Sequence, residues 1–145
     1  MFRAGIISVR TMPNRTIAVD ARPLARNMSG IRRYTEELLR LLVKERDTLW
    51  LLYSDADIVD DYDLAKNGNV KIYTPPAGRN TRVLWLWYST KWLYRHNPDI
   101  FWSPRQHLPV VTPWAIPLFL TIHDLVWMEN KATMPALAYL SERLL

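Results

Sequence analysis

The sequence predicts an α/β chain, a parallel sheet covered by helices on both faces. Short apolar runs of strand length recur along it, at Thr16 to Asp20, Leu49 to Ser54, Val70 to Tyr73, Asp99 to Pro104 and Ile116 to Asp124. Stretches of helical periodicity separate several of these runs, and polar loops follow their carboxyl ends, where open α/β sheets place their ligands.

The first run, "TIAVD", is β-branched and ends in an acid. "ARPLARNMSG" follows as a loop by its Pro, Asn, Ser and Gly content. From Gly30 the period becomes helical through Ile31, Tyr34, Leu38, Leu41 and Leu42, with Ser29 placed to cap and Glu36 and Arg40 spaced as an i,i+4 pair. "LWLLYS" reads as a buried strand, "DADIVDDYDLAKNG" as a short acidic helix or turn, and "VKIY" as a third strand. "PPAGRNTR" breaks the chain before an aromatic helix from Val83 to Arg95, which Asn97-Pro98 stops. "DIFWSP" and "IPLFLTIHD" are the fourth and fifth strands, and an amphipathic segment from Pro135 runs to Leu145 without a helix stop signal, as in a chain cut short.

At 145 residues and 49% hydrophobic content, the chain can bury one real core, and its seven tryptophans argue against disorder. The absence of cysteine excludes disulfides, thiolate zinc sites and a cysteine nucleophile. A formal charge of +5 suggests anionic partners without choosing among them. Neither a secretory signal nor a bilayer-length apolar run is present in these residues. Met12 reads as a natural start, so residues 1–15 are expected to form a poorly ordered extension ahead of a domain over 16–145.

Three features should meet on one rim of such a sheet: the Gly30 loop, "SPRQHLP" and His123-Asp124. Arg32 and Arg33 occupy the first turn of the helix that Gly30 opens, with Arg22 and Arg26 just upstream. An anion docked at that helix start would relieve their clash with the macrodipole; solvated arginines behind a turn-making glycine are the competing account. His123 can donate or accept a hydrogen bond, with Asp124 to tune it; a core-edge histidine bonded to backbone is the plainer account.

Asp55-Ala56-Asp57 and Asp61-Tyr62-Asp63 suit the solvated first turn of a helix better than a cation site, since nothing nearby repeats a ligand pattern. His96, His107 and His123 lack paired zinc-ligand spacing, and no nucleic-acid-binding motif appears. "VLWLWYSTKWLY" is apolar nearly all round, which normally means burial, although its Trp, Tyr and Lys also suit contact with a membrane surface.

Taken in order, "IAVDARPL", "SGIRRYTEELLRLL", Leu84-Trp85, "NPDIFWSP" with "HLP", and "LTIHDLVW" with "YLSERLL" resemble the N-terminal part of a family 4 glycosyltransferase of the GT-B fold. The resemblance covers Thr16 to Leu145. It implies a Rossmann-like acceptor-side domain, the N-terminal half of a two-domain architecture whose nucleotide-binding half, with its Gly-rich loop and Glu-x7-Glu element, is absent from this chain. It further implies metal-independent transfer of a sugar from a nucleotide-sugar, with GDP-mannose or a UDP-sugar as candidate donors and no other cofactor. The acceptor would be a saccharide or lipid-linked glycan of cell-surface polysaccharide or lipopolysaccharide synthesis, handled at the cytoplasmic face of the membrane.

By the same resemblance, Gly30 matches the glycine that approaches donor diphosphate or acceptor, and Arg32 and Arg33 stand in that loop. His123 matches the histidine beside the transferred sugar, with Asp124 after it. Ser103, Arg105 and His107 stand in the loop lining the acceptor side. Two departures from the family pattern are Arg32, where a second small residue is common, and Arg105, where an aromatic or His is common. The competing function is a non-catalytic α/β module that binds a phosphate-bearing ligand or a protein partner.

Overall fold

A computed structural model describes residues 13–26, 29–59, 63–76, 81–109 and 111–123. Its sheet consists of β1 (Arg15–Asp20), β2 (Thr48–Tyr53), β3 (Val70–Tyr73), β4 (Ile100–Ser103) and β5 (Leu118–Leu120), in the spatial order β3-β2-β1-β4-β5. Every pairing is parallel, as the alternation of strands and helices predicts. This is a Rossmann-like α/β arrangement, and its strand order reverses direction between β1 and β4.

Two helices cover opposite faces of the sheet. α1 (Gly30–Leu42) sends Leu39 onto one face with Val43, against Val19, Trp50, Leu52 and Trp102. α2 (Thr81–His96) packs Trp85, Tyr88, Trp92 and Leu93 onto the other face, against Ala18, Leu51, Tyr53 and Phe101. Neighbouring strand residues therefore go to opposite cores, Ala18 to one and Val19 to the other. Strands buried on both faces need this continuous apolar composition. Burying a side chain such as Leu39 fully contributes about 1.5–3 kcal/mol.

The turns follow from short polar residues. Ser29 caps α1 by accepting from the backbone N–H of Arg32 at 3.1 Å. α2 ends at Asn97, which takes a left-handed φ of 41° and donates its N–H to Leu93. Asp99 then exchanges hydrogen bonds with Thr16, accepting at Oδ2 over 2.7 Å and donating its own N–H over 2.8 Å, which sets β4 beside β1. Asn69 Nδ2 donates among the carbonyls of Val43, Glu45 and Thr48, fastening the turn after α1 to the start of β3.

Two expectations need correction. No helix begins at Asp55: the residue is 1% exposed and ion-paired with Arg26, because it leaves β2 toward the sheet's rim rather than toward solvent. The fifth strand is shorter than its apolar run, and Leu118 and Phe119 are exposed, since β5 is an edge strand bonded to β4. Asp124, the segment from Pro135, and residues 1–12 of the N-terminal extension lie outside the described residues; β1 already begins at Arg15.

Candidate functional site

The carboxyl ends of β1, β2 and β4 converge on a polar cleft of about 370 Å³, lined by Arg22, Pro23, Arg26, Ser29, Ile31, Asp55 and Arg105. Its position follows from topology. The loops after β1 and β4 diverge where the strand order reverses, and the gap between them is the crevice in which such sheets hold ligands. Its volume is within the usual range for small-molecule sites, about 300–1,000 Å³.

The guanidinium groups of Arg22 and Arg26 are each held by a carboxylate at a strand end. Asp20, the last residue of β1 and 1% exposed, accepts from Arg22 Nε at 2.9 Å and Nη2 at 2.7 Å. Arg22 in turn lies 4.5 Å over the Trp85 ring, so the first loop is stapled to α2 as well. Arg26 donates from Nη2 to Asp55 Oδ2. The other Asp55 oxygen, Oδ1, is buried and has no hydrogen-bond partner among the described residues. An orphaned buried carboxylate oxygen in a native site calls for an explanation.

The predicted residues divide between two places. Arg105 lines the polar cleft, while Gly30 and Arg33 border a shallow apolar groove on α1 with Tyr34, Glu37, Leu38 and Leu41. Arg32 is 4% exposed and turns back to donate to the Arg26 carbonyl at 3.1 Å, so it braces the loop from beneath. The pairing of Arg32 with Arg33 at one anion site is therefore not what the helix builds. Successive helical residues point about 100° apart, and here one faces the core and the other solvent.

His123 does reach the rim formed by the other two loops. Its Nε2 lies 2.7 Å from the Pro104 carbonyl, and its exposed ring stands edge-on to Tyr34 with centroids 4.9 Å apart. Because a carbonyl only accepts, Nε2 carries the proton, and in the neutral ring Nδ1 is left as an acceptor. Ser103 is fully buried, with Oγ 2.8 Å from the carbonyls of both Arg105 and His107, and it shapes their loop from within. His107 is half-buried in that loop. Asp124 lies outside the described residues.

Sequence reasoning did not place Asp20 in the site and read Asp55 as a solvated helix start, yet these are the carboxylates that hold Arg22 and Arg26. Each follows or ends a strand, and that position was their only signal. Among the described residues, no group of three or more His, Asp or Glu side chains could hold a metal ion, and no helix is long and apolar enough to cross a membrane. Compared with protein-family models, curated proteins and solved structures, the chain has no match.

Proposed function

We propose that this chain forms the acceptor-side domain of a glycosyltransferase, transferring a sugar from a nucleotide-sugar to a saccharide or lipid-linked glycan in the synthesis of cell-surface polysaccharide or lipopolysaccharide. One observation carries the proposal: an arginine-lined cleft at the switch point of a Rossmann-like sheet, with His123 brought to the same rim by Pro104 and Tyr34. The motif order from "IAVDARPL" to "LTIHDLVW" supports the class.

In the complete enzyme, an acceptor hydroxyl oxygen bonds to the anomeric carbon while the bond from that carbon to the diphosphate oxygen breaks. The electron pair leaves with the nucleoside diphosphate, which also receives the acceptor's proton. Rate enhancement comes from positioning and from electrostatic stabilisation of the departing diphosphate. His123 Nδ1 would accept from a hydroxyl of the transferred sugar, with Nε2 fixed on Pro104. Gly30 would let the diphosphate or acceptor approach the backbone. The work would take place at the cytoplasmic face, with the outer side of α2 available to touch a membrane.

The test is to read the coding frame past Leu145 and assay the encoded protein with labelled GDP-mannose and UDP-sugars. A second domain with a Gly-rich loop and Glu-x7-Glu, and transfer that falls sharply in His123→Ala with the fold retained, is the expected outcome. A stop codon after Leu145 or undiminished transfer in the variant counts against it. The second reading, a non-catalytic module binding a phosphate-bearing ligand or a protein partner, draws on the same cleft: among the described residues its lining includes Arg22, Arg26 and Arg105, side chains suited to a phosphate.

A further inference from the structure

We propose that the acceptor is amphipathic, with its polar head in the switch-point cleft and a hydrocarbon chain lying along the apolar groove on α1, the two parts joined across Gly30. The inference rests on the cleft being the acceptor pocket of the proposed function, and it names the acceptor's class: a saccharide that carries a lipid chain, in place of a free one.

Two depressions of unlike chemistry share the first turn of α1. Ser29 and Ile31 line the polar cleft, whereas Gly30, between them in sequence, lines the groove together with Tyr34, Leu38 and Leu41. These three apolar residues recur at i, i+4 and i+7, so they form one row along the helix, about 10 Å long. Tyr34 and Leu41, at its two ends, are both exposed. The groove holds about 400 Å³, which is the size of a small-molecule site.

Gly30 is the pass between the two. A Cβ there would meet no atom within 4 Å, whereas Ile31, Arg32 and Arg33 after it all carry long side chains. A ligand therefore crosses the turn most easily over Gly30. His123 marks the same junction: its ring stands edge-on to Tyr34 at the head of the row, and its Nε2 is bound to the carbonyl of Pro104, the neighbour of Arg105 in the cleft. A sugar whose hydroxyl meets His123 Nδ1 has the polar cleft on one side and the apolar row on the other.

The width of the row identifies its occupant as a single chain. Arg33 and Glu37 bound it along one side, which leaves an apolar strip one side chain wide. A docking helix brings an apolar face of about 100° or more and would cover both charged groups, at a desolvation cost. A hydrocarbon chain fits the strip and leaves them in water.

The experiment is calorimetric titration of the full chain with methyl glucoside, octyl glucoside below its micelle concentration, and octanol. Octyl glucoside should bind at least about tenfold more tightly than either of the others, the factor that burying about two methylenes supplies. Leu41→Ser, a change at an exposed position, should weaken octyl glucoside about three- to tenfold and leave methyl glucoside unchanged. In the unmodified chain, octyl but not methyl glucoside should shift the amide resonances of Leu38 and Leu41, a readout that decides the matter if the variant does not fold. Equal binding of the two glucosides overturns the inference and leaves the acceptor pocket standing. Octanol as tight as octyl glucoside overturns the joining of head and chain, and octyl glucoside binding that Leu41→Ser leaves unaltered overturns the groove. Tight octyl glucoside binding with no transfer by the encoded protein removes the transferase reading and leaves the amphipathic site. If none of the three binds, the inference and the acceptor pocket both fall.

Discussion

Arg26 and Asp55 form an ion pair that joins the loop after β1 to the end of β2. The two partners are unequally placed, with side-chain exposures of 35% and 1%. Removing either one should therefore have unequal effects. Asp55→Ala leaves an arginine that can regain water, at a cost of about 1 kcal/mol, near that of a surface pair. Arg26→Ala strands a buried carboxylate and should cost about 3–5 kcal/mol. Urea unfolding of both variants measures the difference; equal losses would show that Asp55 finds another donor.

His96 provides a pH dependence with a definite sign. Burial, then the charges of Arg95 and Lys71, hold its imidazole below the ordinary histidine value of 6.5. Its Nδ1 is 2.8 Å from the Tyr53 hydroxyl, whose own ionisation burial pushes up, so the tyrosine O–H donates and the histidine accepts. The unfolded chain then binds the proton more readily than the folded one. Stability from this group is present above pH 6.5 and is lost as pH falls below it. The unfolding free energy should decline on acidification from about pH 7 to 5.5, and His96→Gln should flatten that decline. An unaltered slope in the variant would assign the effect to other groups.

What the sequence made legible is the pattern of the backbone. The first four strands, the Ser29 cap and the stop after His96 all depend on local residue types, and the structure has them within a residue or two, whereas β5 stops short of its apolar run. The side-chain partnerships were not legible in the same way. Whether Arg32 faces solvent or core depends on how α1 is rotated against Leu24 and Val19, and that is set by contacts distant in sequence. The Asp55 pairing spans β2 and the first loop, so "DAD" read alone as a helix start. His123 was legible in its place on the rim and as a histidine bonded to backbone, while the identity of its partner, Pro104, is fixed only when β4 and β5 pair.

The aromatic helix contains both a core and a surface tryptophan, and the two should respond differently to substitution. Trp85 is 2% exposed beneath Arg22, whereas Trp87 is 57% exposed with Lys91 Nζ 5.1 Å from its ring centroid. Trp85→Ala should cost about 3–5 kcal/mol in urea unfolding, and Trp87→Ser should stay within about 0.5 kcal/mol. Only the second variant can test membrane contact cleanly. If Trp87, Lys91 and the exposed Tyr94 touch an anionic bilayer, Trp87→Ser should lower flotation with phosphatidylglycerol vesicles while leaving stability intact. Unchanged flotation would remove this face from any membrane role.

Gly30 separates a structural reason for glycine from a functional one. A Cβ built on it meets no atom within 4 Å, and it lies in the first turn of α1, where alanine fits the backbone. Nothing in the fold therefore requires glycine there. Gly30→Ala should raise unfolding stability by about 0.4–1 kcal/mol, because it narrows the unfolded ensemble without straining the folded one. If the proposed transferase reading holds, the same methyl group occupies the space through which a diphosphate or acceptor would approach the backbone, and it should reduce transfer. Higher stability together with lower activity would assign the glycine to ligand approach. Higher stability with unchanged activity would leave Gly30 as the start of a helix and nothing more.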